Sequence, residues 1–466
     1  MTYNELNPLF HPRSVAVVGA SPDLDALSFM DIMVSHGFPG DVYPVNHRGG
    51  EVLGRKIYTS MKDIPGPVDY VFLQIPAKAT VEVIKDCGVK GVKLAALYTA
   101  GFGESEIKGG SELEQELLRV ARKGGVRFLG PNCMGFYCPA AKLSFAYDLP
   151  QESGSVGALC QSGGHSGHLV LAGAQRGIRF SKVVSYGNAV DLNEADLLEY
   201  FTEDPETRII IVYIEGVREG KRFFQALRKA TQTKPVIVFK GGRYEAGMQA
   251  ALSHTRSLAG SVAVWDGLLK QAGAIQAYTI DECVDIALAF RFINPPGSRR
   301  VAVIGGGGGA SVQAADECSS AGLILPMLPD RIKDELKSFL PIAGNIFRNP
   351  VDISGIRSFQ DMARSIKLVG GWSDADLLIL HIGIEIGPNV MMNANVLEPV
   401  ANIFIRAATE VGKPSALVAY AFYGGQTYQQ ILKVQQMCYE IGLPFYPSIQ
   451  RAASAIDKLI KYHQAR

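Results

Sequence analysis

Two settings in this chain carry residue types that can move an anionic group. His254 lies in Ala250-Ala251-Leu252-Ser253-His254-Thr255-Arg256-Ser257-Leu258-Ala259-Gly260-Ser261, where small side chains surround an imidazole. A neutral imidazole nitrogen is a good nucleophile near pH 7, and an N-linked phosphoryl group leaves readily for its next acceptor. The same stretch also fits an ordinary loop histidine beside a helix whose N-cap is Ser261, so His254 alone decides nothing. The second setting is Ser162-Gly163-Gly164, where a helix opens after the apolar run Val156-Gly157-Ala158-Leu159-Cys160. Backbone N–H groups at a helix start cradle phosphate or charge developing on a phosphoryl group. Glu215 follows the apolar run 209–214, at a strand end, where parallel sheets present catalytic groups. His165 and His168 stand three apart with no third ligand in view, and are read as capping or lining the same helix.

The elements that must hold these residues repeat one pattern. Three blocks open with a short apolar strand running into a glycine turn: Ser14-Val15-Ala16-Val17-Val18-Gly19-Ala20-Ser21, then 156–164, then Val301-Ala302-Val303-Ile304 followed by the glycine run 305–309. Helical patterns alternate with further strands expected at 68–75, 92–98, 126–129, 182–185, 208–214, 375–382 and 415–420. That alternation predicts βαβ units. The expected class is α/β, with three Rossmann-like or flavodoxin-like, doubly wound domains and mainly parallel sheets. Pro/Gly/polar stretches at 149–154 and 294–298 mark the boundaries, giving domains 1–150, 151–296 and 297–466.

Composition narrows the function classes. Lys plus Arg (46) balances Asp plus Glu (45), which removes the basic field that nucleic-acid binding requires. No apolar run reaches the length of a membrane span, and the N-terminus lacks a signal-peptide pattern, so the expected location is cytoplasmic. The seven cysteines are scattered without metal-ligand spacing and read as reduced, unreactive thiols. No metal site is expected in this chain. The run 305–309 continues into Ala310-Ser311 and lacks the Lys-Ser/Thr ending of a P-loop.

The first block offers a phosphate site at Gly19-Ala20-Ser21. A dinucleotide fold would carry Asp or Glu at the end of its second strand to hold ribose hydroxyls. Here the second strand runs Asp41-Val42-Tyr43-Pro44-Val45-Asn46-His47-Arg48 and ends in an amide and a cation. Those groups suit an additional phosphate, either the 3′-phosphate of coenzyme A or the 2′-phosphate of NADP. Two more segments, Tyr98-Thr99-Ala100-Gly101-Phe102-Gly103-Glu104 and Leu129-Gly130-Pro131-Asn132-Cys133, end strands at the same expected edge.

These runs, with Phe10-His11-Pro12-Arg13, Tyr213-Ile214-Glu215-Gly216, Ser253-His254-Thr255, Ser257-Leu258-Ala259-Gly260 and Asn349-Pro350-Val351-Asp352-Ile353, resemble the NDP-forming acyl-CoA synthetases. That superfamily includes the ADP-forming acetate–CoA ligases and, more distantly, succinyl-CoA synthetase; the order of motifs is that of its separate α-type subunit. The resemblance implies coenzyme A at Gly19, Ala20, Ser21, Asn46, Arg48, Ala100, Gly101 and Asn132. It implies phosphate at Gln161, Ser162, Gly163 and Gly164. It makes His254 the residue that is phosphorylated and Glu215 the carboxylate that orients it through its other ring nitrogen. Acyl-CoA, phosphate and ADP would then interconvert with carboxylic acid, CoA and ATP by way of an acyl phosphate and a phosphohistidine. No ATP-grasp region is recognised within the 466 residues. The resemblance therefore implies a hetero-oligomer with an ATP-grasp β-type subunit that binds most of the ATP or ADP with Mg2+. It makes Asn349–Ile353 a structural turn and the third domain mainly structural.

Two other readings stand beside this one. Arg256 occupies a position that is usually glycine in the family, which is compatible with a non-catalytic CoA- or acyl-CoA-binding protein of the same fold. An NADP-linked oxidoreductase is the third reading, although no Tyr/Lys or His/Asp hydride-transfer set stands out.

Overall fold

The computed structural model describes residues 3–21, 29–105, 108–249, 261–356, 358–383, 397–420 and 425–466. The segment 250–260, which carries His254 and Arg256, lies outside the described residues. The chain forms two compact units, Met1–Cys283 and Val284–Arg466.

The first unit holds two sheets. One contains β1 (Ser14–Val18), β2 (Asp41–Val45), β5 (Tyr70–Leu73), β6 (Leu94–Leu97) and β7 (Arg127–Leu129), all parallel, in the order β2-β1-β5-β6-β7. A small hairpin of β3 (Glu51–Val52) and β4 (Arg55–Lys56) follows β2 in the chain. The other sheet contains β8 (Gly135–Tyr137), β9 (Val156–Cys160), β10 (Phe180–Ser185), β11 (Ile209–Ile214), β12 (Val236–Lys240) and β13 (Ile275–Ala277). Its order is β13-β12-β11-β9-β10-β8, with only β8 antiparallel to its neighbour.

The second unit is built on β14 (Val301–Gly305), β15 (Ile346–Phe347), β16 (Val351–Asp352), β17 (Leu377–Ile382), β18 (Ser415–Ala419) and β19 (Phe445–Tyr446). Their order is β15-β16-β14-β17-β18-β19, with β15 the antiparallel edge. Leaving out the antiparallel edges, each sheet has the flavodoxin-like order 2-1-3-4-5, so each has one point where the winding reverses, beside its first strand.

Strands covered by helices on both faces lose the polar alternation of a half-exposed strand, which is why β1, β9, β11, β14 and β18 read as unbroken apolar runs. Each fully buried Val, Leu or Ile in them contributes roughly 1.5–3 kcal/mol through lost contact with water. The strands expected from sequence are present; most are shorter by one or two residues at an end, while the one expected at 182–185 begins earlier, at Phe180. Asn349–Ile353, expected to be a turn, contains β16, because Val351 pairs with Ile304 of β14; a two-residue strand is too short to leave a periodic signal. The Asn349 side chain accepts from the Val303 N–H at 2.9 Å and donates to the Val301 carbonyl at 2.8 Å, tying this segment to β14.

All seven cysteines are buried and free. Burial pushes the thiols of Cys87, Cys133 and Cys160 up to about 12, which leaves them protonated and inert. Among the described residues no helix is long and apolar enough to cross a membrane.

Candidate functional site

At the carboxyl edge of the first sheet, β1 ends in a turn that only glycine can make. Gly19 has φ +101, and a Cβ there would lie 2.1 Å from the Gln74 carbonyl oxygen. The turn is fastened from β2: the Asn46 amide donates to the Ala20 carbonyl at 2.8 Å, while its oxygen accepts from the Arg48 N–H at 3.1 Å. Asn46 thus shapes the Gly19-Ala20-Ser21 turn, and Arg48 stands exposed next to it. The next strand ends are tied in series. The Thr99 hydroxyl donates to the Ile75 carbonyl at 2.8 Å, and the Asn132 N–H, in a left-handed residue with φ 56, donates to the Thr99 carbonyl at 2.9 Å. Glu104 accepts from the N–H groups of Gly101 at 2.6 Å and Phe102 at 3.2 Å. The Gly101 N–H is therefore taken by a carboxylate of the same chain.

The second sheet carries the expected phosphate turn. Ser162 caps the helix Gly163–Gln175, its hydroxyl accepting from the His165 N–H at 3.3 Å. Gly163 sits against Met134, whose Cγ would be 2.6 Å from an added Cβ, whereas Gly164 faces open space. Gln161 is buried, and its side-chain oxygen accepts from the N–H groups of Glu215 at 2.7 Å and Gly216 at 3.2 Å. This contact joins the ends of β9 and β11, the two strands flanking the reversal point of the sheet. It holds the Glu215 backbone, so the oxygen end of Gln161 serves the turn.

Glu215 is itself buried and accepts from the Tyr213 hydroxyl at 3.2 Å. Two-residue spacing on a strand puts both side chains on one face. His165 stacks on Tyr213, with ring centroids 4.3 Å apart and planes 13° apart, and its Nδ1 lies 3.1 Å from the Ser162 hydroxyl. His168 is exposed. The two histidines thus sit apart in role, one lining the turn. Among the described residues no three His, Cys, Asp or Glu side chains are placed to hold a metal ion.

The flanks of the 250–260 segment are anchored close by. Arg243 pairs with Asp266 at 3.0 Å and lies over the Tyr278 ring at 5.0 Å. Ser261 caps the helix Val262–Ala272, its hydroxyl accepting from the Val264 N–H at 3.3 Å. Lys240, the last residue of β12, is buried, donates to the Gly241 carbonyl and lies 5.1 Å from the Trp265 ring centroid. Burial lowers its pKa to about 8, with Glu215 acting in the opposite direction and Arg243 adding to the fall.

The two edges of the first unit are linked. The Asn188 amide donates to Glu104 at 2.6 Å, and its N–H donates to the Pro131 carbonyl at 3.0 Å. Gly187 passes so close to the same loop that a Cβ would lie 2.2 Å from the Pro131 oxygen. The segment after β10 is thereby bonded to the strand ends that carry Gly101 and Asn132.

Glu104, Asn188, Tyr213 and Lys240 received no assignment from sequence. The i, i+2 spacing of Tyr213 and Glu215 was a readable signal; nothing local marks the partners of the other three.

A CoA binding domain model matches residues 13–139, a succinyl-CoA ligase like flavodoxin domain matches 153–290, and a ligase-CoA domain matches 301–466. The alpha subunit of acetate–CoA ligase (ADP-forming) II from Pyrococcus furiosus is 37% identical over 461 residues, covering 98% of this chain and 97% of that one. The alpha subunit of ligase I from the same organism is 38% identical over 472 residues, with the same coverage. The solved dinucleotide forming acetyl-coenzyme A synthetase 1 of Candidatus Korarchaeum cryptofilum, in complex with phosphate and ADP, superposes with a TM-score of 0.84 at 33% identity. That match covers 99% of this chain and 97% of the other.

Proposed function

The chain belongs to the ADP-forming acetate–CoA ligase family and is an acid–thiol ligase, and from that premise we propose that it is the α-type subunit, carrying the phosphoryl group between an acyl-CoA site and a nucleotide site on an ATP-grasp β-type partner. The observation that carries this reading is the clamp of Gln161 on Glu215. It places a buried carboxylate at the sheet's reversal point, next to a helix N-terminus built to receive an anion.

The groups at the first edge fit coenzyme A. Gly19, Ala20 and Ser21 form a turn without side-chain bulk for a phosphate, shaped by Asn46, and Arg48 stands exposed for a further phosphate. Ala100, Gly101 and Asn132 line the strand ends alongside. Bound there, coenzyme A supplies the thioester chemistry. In the acyl-CoA direction a phosphate oxygen forms a bond to the acyl carbon as the C–S bond breaks, and the thiolate takes a proton. A ring nitrogen of His254 then bonds to phosphorus as the carboxylate leaves. The N–P bond breaks in turn when a β-phosphate oxygen of ADP attacks. The helix start at Ser162, Gly163 and Gly164 offsets the negative charge of the phosphoryl group, and Gln161 fixes Glu215. Glu215 accepts a hydrogen bond from the N–H of the second ring nitrogen, which selects the tautomer and stabilises the cation formed on phosphorylation.

Incubation with an acyl-CoA and labelled phosphate tests this. Acid-labile label is expected on the chain and absent from His254→Ala. Coenzyme A binding without any label, over a broad acyl panel and with the partner present, would sink the transfer reading and leave a CoA-binding protein.

A further inference from the structure

The second sheet contains two buried lysines whose surroundings differ. Lys182 on β10 is fully buried with carboxylates to match: Asp204 at 3.2 Å and a hydrogen bond to Glu206. Burial works against its charge, but those two acids outweigh it and its pKa is raised. It is a closed structural pair. Lys240 is 1% exposed, and its described hydrogen bonding is a single bond to the Gly241 carbonyl, besides the face of Trp265. Burying a cation with so little compensation is costly, and an anion beside it would offset that cost.

Its position indicates which anion. In the parallel register Lys240 is paired with Ile214, the residue before Glu215, so it ends its strand alongside the Glu215 turn. The bond to Gly241 curls the side chain toward the carboxyl edge of the sheet. Gly241 begins the chain that leads into the 250–260 segment, and Trp265 lies on the helix that leaves it. The ammonium is therefore held between Gly241, just after β12, and Trp265 of the helix Val262–Ala272. Other charged groups near it are Glu215 at the end of β11 and Arg243 after β12, the latter already neutralised by Asp266 on Trp265's helix. The helix Gly220–Thr233 contributes an apolar ring, Phe223, 5.9 Å from Trp265.

We propose that Lys240 is a phosphoryl-binding residue: its ammonium is the fixed positive charge that the dianionic group meets at this edge as it passes to and from the histidine. This rests on the phosphoryl-transfer reading above and adds to it a cation in the protein, where that reading has only backbone N–H groups.

The test uses the full chain with its ATP-grasp partner, labelled phosphate and acetyl-CoA. Wild type, His254→Ala, Lys240→Met and Lys240→Arg are compared from pH 6 to 9.5, with coenzyme A binding as the control for folding. In wild type the labelling rate should fall as pH rises through about 8, where the lysine loses its proton. In Lys240→Met the rate should drop about tenfold or more at pH 7, as expected when one charge-assisted hydrogen bond is lost, and the alkaline fall should vanish. Lys240→Arg keeps its charge throughout, so it should label without the alkaline fall. Should Lys240→Met fail to bind coenzyme A, the arginine variant decides: a pH profile like wild type would overturn the proposal. So would a Met variant that labels at the wild-type rate. Absence of label in wild type would instead refute the transfer reading, which keeps the two failures distinct.

Discussion

The second and third sheets reach their reversal points with the same strand order and almost the same turn, but fill them differently. In each, the first strand (β9 or β14) runs through glycines into a 13-residue helix, Gly163–Gln175 or Gly308–Ser320. At the second sheet the helix has a serine cap, and the neighbouring strand end delivers a buried carboxylate clamped by Gln161. At the third sheet the helix starts at Gly307 with no side-chain cap, and β17 brings up the buried His381. Burial holds its pKa down to about 4, so it is neutral at pH 7, and among the described residues its Nε2 has no hydrogen-bond partner. The second edge has a carboxylate whose backbone is clamped by a side-chain amide; the third has a neutral histidine, and its buried carboxylate, Asp352, accepts from the Ser354 N–H at 2.8 Å. The repeated topology supplies a place for a ligand, and the side chains at the strand ends determine what that place can do.

Changing the carboxylate should have the largest effect. Glu215→Gln keeps the volume and removes the charge, and labelling of the chain by phosphate is expected to fall roughly 10–100-fold, the range seen when a partner that orients a histidine is lost. Coenzyme A binding should be unaltered. Equal labelling rates in wild type and variant would show that Glu215 is not the orienting group.

The glycines separate the edges on stability. Gly305 has φ +139, and a Cβ would lie 1.7 Å from the His381 carbonyl oxygen, so Gly305→Ala should cost about 2–4 kcal/mol in chemical denaturation. Gly164 has open space, and Gly164→Ala should change stability by less than about 0.5 kcal/mol while leaving its N–H in place. Similar losses at both sites would erase the contrast.

A smaller effect comes from His381 itself. Its pKa is depressed in the folded chain, so the unfolded chain binds the proton more readily. The stability this provides is complete above about pH 6.5 and is lost as pH falls toward about 4. Denaturation midpoints across that window should shift less in His381→Phe than in wild type, by about 1–3 kcal/mol in the difference. Parallel pH profiles would contradict the assigned burial.

Much of the fold was legible because buried parallel strands write themselves as apolar runs and each glycine turn punctuates one. The strand–glycine–helix openings, the helix start at Ser162, the cap at Ser261, and the position of Glu215 at a strand end are all local patterns. The short β16 was missed for the opposite reason, since its pairing comes from β14, some fifty residues away in the chain. At the candidate site the residue types were readable and their duties were not. Asn46 and Gln161 were both expected at ligand positions, and both spend side-chain hydrogen bonds on shaping the turns that would hold a ligand.

What the sequence determined by itself is therefore the α/β class, the family, and His254 as the residue proposed to carry the phosphoryl group. What only the tertiary structure decided is which strand ends meet at the edge of the second sheet. The order 2-1-3-4-5 places β9 against β11 and β11 against β12, bringing Gln161 to Glu215 across 54 residues and ending Lys240 opposite Ile214, the residue before Glu215. Local periodicity records which face a side chain is on. It carries no information about which distant strand end will meet it, because that is fixed by the winding of the whole sheet.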